Sequence, residues 1–468
     1  MTYTTIYKHT FSRSDISPLE LLYRIKDRQL PFLLDSAKGD KRQGRKSYLG
    51  FDPVQTLRSK GGVTELEGEM EGTINDAHPL ELLRTLMEKY RCKDAFPFSG
   101  GAVGCMSYDF TAYNLGIPLR SAKLAEVYDC YFGIYTAVLE YDTETRELTL
   151  FYQNDSELKD WMAILESEET PLPEAAVAAL ERGYASTESI AIPDEQPYRE
   201  AFREIRRHIR KGDVYEVNLS HSFIAEAPED AFTQYCLLRQ SNPADFAAYM
   251  DFGPYAVLSS SPERFFECRD RRVTTRPIKG TAARGKTPGE DAVVADELLH
   301  SEKNISELLM IVDLMRNDLA RSCDYKSMQV NELYRLETYE TVHHLVSTIC
   351  GVLREGEDAI SLTKNIFPGG SITGAPKRAA IQIIDEVEQH ARGIYTGSLG
   401  YFGFNGNADF NILIRTILKT GDTSYFYGGG AVTWDSEEES ELEETIDKCV
   451  PILRTFVPID NNDDESEH

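Results

Sequence analysis

From residue 198 to about residue 457, short apolar runs of strand length alternate with amphipathic helical stretches, and this alternation constrains the fold more than any other feature. A two-residue period indicates a strand with one buried face, and a period near 3.6 residues indicates a helix with one apolar face. The two patterns follow one another without a break, so they predict one large α/β unit with its own core.

The chain before residue 198 contains two parts of different composition. The first part mixes strand-like runs at 131–139 and 148–152 with a helical stretch near 80–90, which predicts an α+β lobe. The second part is rich in Glu, Ala, Ser and Pro, which is typical of a linker. The last residues of the chain are nearly all acidic or polar and are expected to be disordered. The sequence thus predicts an N-terminal lobe, a linker, a second lobe and a tail, at residues 1–165, 166–197, 198–457 and 458–468.

Composition limits the classes of partner. The 468 residues include 77 acidic and 50 basic side chains, which gives a formal net charge of -27. Nucleic-acid binding depends on a basic surface that displaces counterions, so we expect no nucleic-acid partner. No stretch of roughly 20 apolar residues is present, so no membrane association is expected. The eight cysteines form no C-x-x-C pair, which argues against a zinc site or a disulfide framework. Because neither an apolar span nor the apolar core of a signal peptide is found, we expect a cytoplasmic protein.

A first candidate site lies in the segment SPERFFECRDRRVTTRPIKGT, where two strand-like runs flank a polar segment. This pattern predicts a hairpin. With the turn near Asp270 or Arg271, Glu263 falls opposite Pro277 or Lys279, within cross-strand reach. A carboxyl group beside a lysine provides an acid and a nucleophile, whereas a surface ion pair is the alternative interpretation.

A second candidate is Glu307, in the segment EKNISELLMIVDLMRNDLAR. Its centre is apolar nearly all round, which predicts a helix that is buried on all sides. At 100° per residue, Glu307 shares a face with Lys303, Ile311 and Leu314. A carboxylate on such a face has to be paired, protonated or bound to a cation. The sequence leaves open whether Glu307 binds a metal or forms a salt bridge with Lys303.

A third candidate is the segment EESELEETIDKCVPIL, which predicts an amphipathic helix. Glu441, Glu444 and Lys448 line a face separate from its apolar stripe. Two carboxylates one turn apart suit a hard divalent cation such as Mg²⁺. In so acidic a chain, a solvated glutamate face is the alternative interpretation.

A fourth candidate is the glycine-rich segment FPGGSITGAPKRAAIQ, which predicts a helix that opens near Ala375 with Pro376 in its first turn. A helix N-terminus after a flexible loop offers free N–H groups to an anion. The segment is not a P-loop, because Ala-Pro-Lys follows Gly374 where Gly-Lys-Ser/Thr is required. An ordinary capped helix is the alternative.

Together these segments resemble the chorismate-utilising enzymes, a family that includes the anthranilate, aminodeoxychorismate, isochorismate and salicylate synthases. The resemblance implies an α+β fold, a large two-lobed α/β sandwich of antiparallel sheets with outer helices, like that of anthranilate synthase, with the active site in the second lobe. It is carried in the first lobe by LLDSA (33–37) and GGAVGCMSYD (100–109), and in the second by SPERF (261–265), RPIKGT (276–281), MIVDLMRNDLAR (310–321), VHHLVSTI (342–349), FPGGSITGAPK (367–377), IYTGSLGYFGFNG (394–406), NILIRTI (411–417) and GGGAV (428–432).

Two positions distinguish the branches of the family. The branches that add water to chorismate typically carry a lysine base in the segment that reads GDVYEVNLSHS here, and the ammonia-using branches usually carry glutamine. This chain has Glu216 at that place. Most members read Pro-Ile-Ala-Gly-Thr where this chain has Lys279, and a lysine there resembles the aminodeoxychorismate synthases. The resemblance therefore implies amination of chorismate at C4, through an adduct of Lys279 at C2.

The resemblance also implies a role for each matching residue. Glu263 would be the general acid for the departing C4 hydroxyl group, and His344 would lie near that oxygen. A neutral Lys279 amine is required, so we predict that its pKa is lowered from the usual ~10.4. The implied Mg²⁺ ligands are Glu307, Glu441 and Glu444. The implied substrate-binding residues are Ser371, Thr373, Gly374, Tyr395, Arg415, Gly429 and Lys448.

Three further expectations follow from the resemblance. Ammonia would come from a separate glutamine amidotransferase subunit, because no cysteine-nucleophile glutaminase segment is found in the sequence. Leu34, Asp35 and Ser36 match a segment that lines a tryptophan pocket in this family. The alternatives to C4 amination are anthranilate synthesis, which Lys279 argues against, and a chorismate-binding relative without catalytic activity.

Overall fold

A computed structural model describes residues 3–11, 15–38, 45–167, 171–181, 194–338 and 342–456 of the protein. The predicted tail and residues 168–170 and 182–193 of the predicted linker lie outside the described residues. The rest of that linker contains a helix, Glu174–Glu181.

The strands are, in chain order, β1 (Tyr7–Phe11), β2 (Phe32–Asp35), β3 (Lys46–Gly50), β4 (Gln55–Lys60), β5 (Val63–Gly68), β6 (Gly72–Asn75), β7 (Gly101–Met106), β8 (Cys130–Tyr135), β9 (Val138–Asp142), β10 (Leu148–Tyr152), β11 (Glu216–Glu226), β12 (Phe246–Asp251), β13 (Ala256–Ser261), β14 (Arg264–Arg269), β15 (Arg272–Thr275), β16 (Ile278–Ala283), β17 (Gln329–Thr338), β18 (Val342–Val352), β19 (Gly374–Ala375), β20 (Ser398–Gly403), β21 (Ala408–Asn411), β22 (Thr416–Thr420) and β23 (Thr423–Val432).

The α-helices are α1 (Pro18–Ile25), α2 (Pro79–Met87), α3 (Phe110–Leu115), α4 (Asp155–Glu166), α5 (Glu174–Glu181), α6 (Gln196–Lys211), α7 (Ala231–Ser241), α8 (Pro288–His300), α9 (Glu302–Leu319), α10 (Ala359–Ile366), α11 (Lys377–Val387) and α12 (Glu438–Leu453). Short 3₁₀ turns lie at Glu88–Tyr90, Tyr325–Ser327, Gly370–Ile372 and Arg454–Phe456. Of the described helices, none combines the length and the apolar character needed to cross a bilayer.

The strands form two large antiparallel sheets, which we call sheet I and sheet II. Sheet I has 11 strands in the order β1-β10-β9-β3-β2-β12-β13-β22-β23-β11-β19. Sheet II has 12 strands, in the order β16-β18-β15-β14-β21-β20-β7-β8-β4-β5-β6, with β17 paired to β18. Strands from before and after the predicted linker pair directly, as β2 does with β12 and β7 with β20. The two predicted lobes therefore share both sheets, and their boundaries stay predictions.

The sheets pack face to face with helices outside. Phe32 from β2 and Tyr48 from β3 lie in one buried cluster with Val103 from β7 and Tyr131 from β8, so this cluster joins the two sheets. Helices α1, α4 and α7 pack in a second cluster with sheet I, and α2, α9 and α10 pack in a third with sheet II. Burial of apolar side chains in these three clusters is the main favourable contribution to such a fold. The predicted sandwich of antiparallel sheets with outer helices is confirmed.

Local sequence signals account for several elements. The predicted hairpin is β14–β15, with Arg269 paired to Arg272. Asp270 and Arg271 between them have positive φ angles of 48° and 67°, as a tight two-residue hairpin turn requires. The predicted helix near 80–90 is α2 with the 3₁₀ turn that follows it. The predicted strand at 131–139 is instead two strands, β8 and β9.

Two predicted helices differ from those observed. Helix α9 is not buried on all sides, because the side chain of Leu309 is 49% exposed while Ile311 and Met315 are buried. Helix α11 begins at Lys377 rather than near Ala375, and Pro376 is its N-cap residue rather than part of its first turn. The reason is that Gly374 and Ala375 form β19, which pairs with β11 and holds the chain extended up to the proline.

Candidate active site

The candidate site lies where the edges of the two sheets meet. Strand β16 ends sheet II, and β19 with its neighbour β11 ends sheet I. Lys279 on β16 bridges these edges, because its Nζ atom donates a hydrogen bond to Glu216 Oε1 on β11 at 3.3 Å. Both side chains are largely buried. The bridge therefore brings together residues that are far apart in the sequence.

The acid Glu263 lies in the turn between β13 and β14. Its carboxyl group is buried and accepts a hydrogen bond from Ser371 Oγ at 2.8 Å. Burial raises the pKa of Glu263, although Ser371, Lys279 and Lys448 act in the opposite direction. A buried carboxyl group with a raised pKa holds its proton to higher pH than an exposed glutamate does, which suits a general acid.

The predicted cross-strand pairing of Glu263 with Pro277 or Lys279 is wrong. The β14–β15 ladder runs only from Arg269 and Arg272 to Glu267 and Thr274. Residue 279 belongs to the next strand, β16, which pairs with β18. The two side chains nevertheless lie close enough for the charge of each to act on the pKa of the other.

The charge environment of Lys279 differs from the prediction. Burial by itself favours the neutral amine, but the carboxylates of Glu216, Glu307 and Glu263 outweigh it, so the pKa of Lys279 is raised. The predicted lowering of this pKa is therefore wrong for the protein without a bound ligand. The cause is the convergence of carboxylates from three different elements on one ammonium group.

Glu307 on α9 is partly buried, and burial raises its pKa, with further contributions from the charges of Glu216 and Glu441. Lys279 and Lys303 act in the opposite direction. Within the described residues, Lys303 forms an ion pair with Glu441 at 3.5 Å. It does not form the alternative salt bridge with Glu307, one turn away on the same helix. The two helices α9 and α12 thus place their glutamates beside one another.

Helix α12 presents its two predicted ligands over strand β23. Glu441 is buried, which excludes a solvated face for this residue, while the side chain of Glu444 is 49% exposed. A Cβ atom at Gly430 would lie 3.3 Å from Glu441 Oε2 and 3.8 Å from Glu444 Oε1. Lys448 Nζ contacts Glu444 at 2.7 Å and donates to the carbonyl of Gly429 at 2.9 Å. A glycine at 430 therefore keeps the space between these carboxylates and the strand open.

The predicted Mg²⁺ ligands have suitable chemistry. Glu307, Glu441 and Glu444 supply carboxylate oxygens, which hard divalent cations prefer. Lysine ammonium groups lie among them, with Lys303 beside Glu441 and Lys448 beside Glu444. Among the residues that the structure describes, no three His, Cys, Asp or Glu side chains are already arranged to hold a metal ion. These three glutamates are the residues that would hold such a cation, and the assignment stays a prediction.

The glycine-rich segment contacts both Glu263 and the strand that carries Glu216, so it does more than begin a helix. Ser371 donates to Glu263, whereas the hydroxyl of Thr373 donates to the carbonyl of Gly369 at 2.9 Å. Gly374 has φ of 140°, and a Cβ atom there would lie 2.1 Å from the carbonyl oxygen of Glu216. Only glycine permits this approach, so Gly374 brings the segment against the strand that carries Glu216.

Arg415 is a partly buried cation without a carboxylate partner in the described part of the chain. Its Nη1 atom donates to the neutral amide oxygen of Asn242 at 2.9 Å, and burial lowers its pKa. His344 on β18 has a pKa lowered to about 4, first by burial and then by the charge of Arg415. A partly buried guanidinium group beside a neutral imidazole provides a site for an anion.

Tyr395 and Gly429 form the wall of the site beside α12. The Tyr395 ring stacks on Tyr427 with centroids 5.0 Å apart. Its hydroxyl group lies 2.7 Å from where a Cβ atom of Gly429 would be, so the glycine leaves room for the phenol. The structure thus places Lys448, Tyr395 and Gly429 along one boundary.

Sequence reasoning missed two buried ion pairs that support the glycine-rich segment. Lys377 Nζ contacts Asp318 Oδ2 at 2.6 Å and donates to the carbonyls of Ile366 and Pro368 at 2.8 Å. In the second pair, Arg392 Nη2 contacts Glu388 Oε1 at 2.6 Å. The sequence signal for the first pair was a lysine directly after the Gly-Ala-Pro motif, but its partner is 59 residues away.

The predicted residues Leu34, Asp35 and Ser36 line a cavity of about 440 Å³ between the sheets. Its wall includes Arg264, the residue after the acid Glu263. Asp35 is tied to Arg239 at 2.6 Å and to the Tyr235 hydroxyl at 3.1 Å. The three residues are therefore brought together at a cavity, and tryptophan as its ligand stays a prediction.

The fold and the site define an enzyme of the chorismate-utilising type, and the chain belongs to the chorismate binding enzyme family, whose model matches residues 31–454. A relative from Bacillus subtilis (strain 168) named aminodeoxychorismate synthase component 1 is 36% identical over 432 residues, covering 91% of each chain. Anthranilate synthase component 1 of Methanothermobacter marburgensis is 32% identical over 426 residues, covering 91% of this chain and 89% of that protein. The crystal structure of anthranilate synthase component I from Streptococcus pneumoniae TIGR4 superposes with a TM-score of 0.76 at 29% identity, covering 88% of this chain and 92% of that one.

Proposed function

We propose that the protein converts chorismate and ammonia into 4-amino-4-deoxychorismate, which is used for 4-aminobenzoate and folate synthesis. The observation that carries this proposal is the position of Lys279, whose amine lies among Glu216, Glu263 and Glu307 at the junction of the sheets. A lysine at this point supplies a nucleophile for a covalent adduct. Enzymes that add water or ammonia directly to chorismate do not need such a nucleophile. The similarity to proteins named aminodeoxychorismate synthase component 1 supports the same activity.

In the first step, the neutral amine of Lys279 forms a bond to C2 of the chorismate ring. The ring double bonds shift, and the bond between C4 and its hydroxyl oxygen breaks. Glu263 gives its proton to that oxygen, which departs as water. The raised pKa of Glu263 supports this role because the carboxyl group must carry a proton when the bond breaks.

In the second step, ammonia attacks C4 and the double bonds shift back, so that the bond between C2 and the Lys279 nitrogen breaks. The carboxylate of Glu263 accepts the proton that the new C4 amine releases. The enol-pyruvyl group stays on the product. Two displacements replace one difficult substitution, which is the usual benefit of covalent catalysis.

The substrate carboxylates would be held by the cationic side of the site. Within the described residues, Arg415 has no carboxylate partner, so it suits a bidentate contact with a substrate carboxylate. Tyr395 and Lys448, beside α12, would contact the substrate carboxylates as well. His344 is neutral, since its pKa is lowered to about 4, and would accept or donate a hydrogen bond near the C4 oxygen. Ser371, Thr373, Gly374 and Gly429 would contact the same ligand.

Glu307, Glu441 and Glu444 would hold Mg²⁺. When bound, the cation would neutralise these carboxylates and the ring carboxylate of the substrate, which lets two acidic groups approach each other. We further propose that a glutamine amidotransferase subunit supplies the ammonia and that the protein is cytoplasmic. All eight cysteines lie among the described residues, and each is free and buried, as is usual for proteins of a reducing compartment.

The test is to incubate the purified protein with chorismate, Mg²⁺ and ammonium and to identify the products by mass spectrometry, with pyruvate measured in parallel. We expect 4-amino-4-deoxychorismate without pyruvate. Anthranilate with equimolar pyruvate would refute the proposal in favour of anthranilate synthesis. No turnover, even with an amidotransferase partner, would indicate a chorismate-binding relative without activity.

A variant pair tests the nucleophile. Lys279→Ala should lose most of the C4 amination, because no covalent adduct at C2 can form. Lys286→Ala, an exposed lysine just beyond β16, is the matched control and should retain full activity. Undiminished amination by Lys279→Ala would remove the covalent step from the mechanism.

A further inference from the structure

Glu216 is a buried carboxylate that contacts the amine of Lys279. Its side chain is 1% exposed, and Oε1 accepts the hydrogen bond from Lys279 Nζ. The second oxygen, Oε2, is also buried and has no hydrogen-bond partner within the described residues. Burying a carboxylate with an unsatisfied oxygen is costly, and such an exception in a native site calls for a chemical reason.

The groups that face Lys279 come from four elements. Glu216 lies on β11, Glu263 in the turn before β14, Glu307 on α9 and Glu444 on α12. Among these four described carboxylates, Glu216 is the one that accepts a hydrogen bond from Lys279 Nζ. Glu263 accepts a hydrogen bond from Ser371 instead, and Glu444 forms an ion pair with Lys448. Glu216 is therefore the group in place to receive a proton from the amine.

We propose that Glu216 is the base that removes a proton from Lys279 before the amine attacks C2. This inference rests on the proposed function. In the resting site the lysine is an ammonium ion and Glu216 a carboxylate. One proton passes from Nζ to a Glu216 oxygen, which leaves a neutral amine with a free electron pair and a neutral carboxylic acid. When the bond from Lys279 to C2 breaks in the second step, Glu216 returns the proton to the departing amine.

In the protein without a ligand, the surrounding carboxylates keep the pKa of Lys279 raised despite its burial, so the transfer depends on the change that substrate binding makes. An ammonium ion and a carboxylate are both destabilised when water is excluded, whereas a neutral amine and a carboxylic acid are not. A substrate that fills the site and excludes water therefore favours the neutral pair. The glutamine that the family resemblance implies at this position can accept a hydrogen bond but not a proton, so the carboxylate adds a function to this chain.

The experiment compares the wild type with Glu216→Gln, which conserves shape and removes the base. Two quantities are measured: the rate at which the intact protein gains the chorismate adduct without ammonia, followed by mass spectrometry, and kcat/KM for amination between about pH 6 and pH 10. Glu226→Gln, an exposed glutamate at the other end of β11, is the matched control. Melting temperatures establish that each variant is folded.

We expect Glu216→Gln to form the adduct about 100-fold more slowly near pH 7, as for loss of a general base. Its rate should recover as pH rises, because hydroxide then removes the proton that Glu216 would have taken. Glu226→Gln should match the wild type. If Glu216→Gln has the wild-type rate and pH profile, the proposed base role is wrong while the proposed function stands.

A second variant, Glu216→Asp, retains a carboxylate on a shorter side chain. It should keep the wild-type pH profile at a reduced rate, and a profile displaced like that of Glu216→Gln would overturn the proposal. This variant also serves if Glu216→Gln does not fold. If the wild type itself forms neither adduct nor aminated product, the proposed function fails first, and the role of Glu216 fails with it.

Discussion

Ser371 donates a hydrogen bond to the buried carboxyl group of Glu263, at 2.8 Å, and so links the glycine-rich segment to the acid of the site. Burial raises the pKa of Glu263, and the Ser371 hydroxyl lowers it again because the bond favours the charged carboxylate. The serine thereby lowers the upper end of the pH range over which the acid retains its proton.

The first prediction concerns Ser371→Ala. Loss of the donor should raise the pKa of Glu263 further, and a general acid is lost as pH rises through its pKa. The alkaline limb of the kcat/KM profile should therefore move to higher pH. Ser371→Thr, which retains a hydroxyl group, is the control and should move the limb less. If the alkaline limb does not move in Ser371→Ala, the pKa of Glu263 does not determine that limb.

The second prediction concerns the metal. Chelation should abolish amination and added Mg²⁺ should restore it, because three carboxylates around an anionic substrate need a cation. Glu441→Gln should weaken Mg²⁺ binding about tenfold or more, measured by calorimetry and by the rise in melting temperature that Mg²⁺ causes. Glu443→Gln, an exposed neighbour on α12, should bind Mg²⁺ like the wild type. Equal binding by all three proteins would exclude Glu441 as a ligand.

The sequence was sufficient for features that local chemistry determines. The Asp270–Arg271 turn, the amphipathic helix around Glu441 and the position of α9 follow from residue types within one segment. The resemblance then identified which of these segments belong to one site. The structure brings Glu263 and Glu307 within electrostatic range of Lys279.

The sequence was insufficient where distant segments meet. Lys279 has a raised pKa because Glu216, Glu263 and Glu307 converge on it, and their spacing along the chain does not encode that convergence. Helix α11 begins later than predicted because Gly374 pairs with Val217, a contact between residues far apart in sequence. Long-range pairing of this kind overrides local helix signals.

The third prediction concerns the cavity beside Leu34, Asp35 and Ser36. Its volume of about 440 Å³ admits an amino acid of the size of tryptophan, and its wall carries both acidic and basic side chains. Calorimetry should detect tryptophan binding to the wild type. Ser36→Phe should abolish it, because the new ring fills the cavity. Leucine is the control ligand and should bind more weakly. If the wild type binds no tryptophan, the assignment of this cavity as a tryptophan site is wrong.

The last prediction concerns Arg392, a fully buried cation that pairs with Glu388 at 2.6 Å. Its Nη1 atom also donates to the carbonyl of Ile372 at 2.8 Å, and its Nη2 atom to that of Asn218 at 2.6 Å. These two carbonyls lie in the glycine-rich segment and in β11, so one side chain joins the two segments that carry Ser371 and Glu216.

Arg392→Met should lower the free energy of unfolding by about 3–5 kcal/mol, because it leaves Glu388 buried and charged without its partner. Urea denaturation measures this change. The double variant Glu388→Gln with Arg392→Met should be less destabilised than Arg392→Met alone, since the uncompensated charge is then removed. Arg378→Ala, an exposed arginine on α11, should change stability by only about 0.5 kcal/mol. A double variant at least as unstable as Arg392→Met would mean that the lost carbonyl contacts, rather than the buried charge, account for the effect.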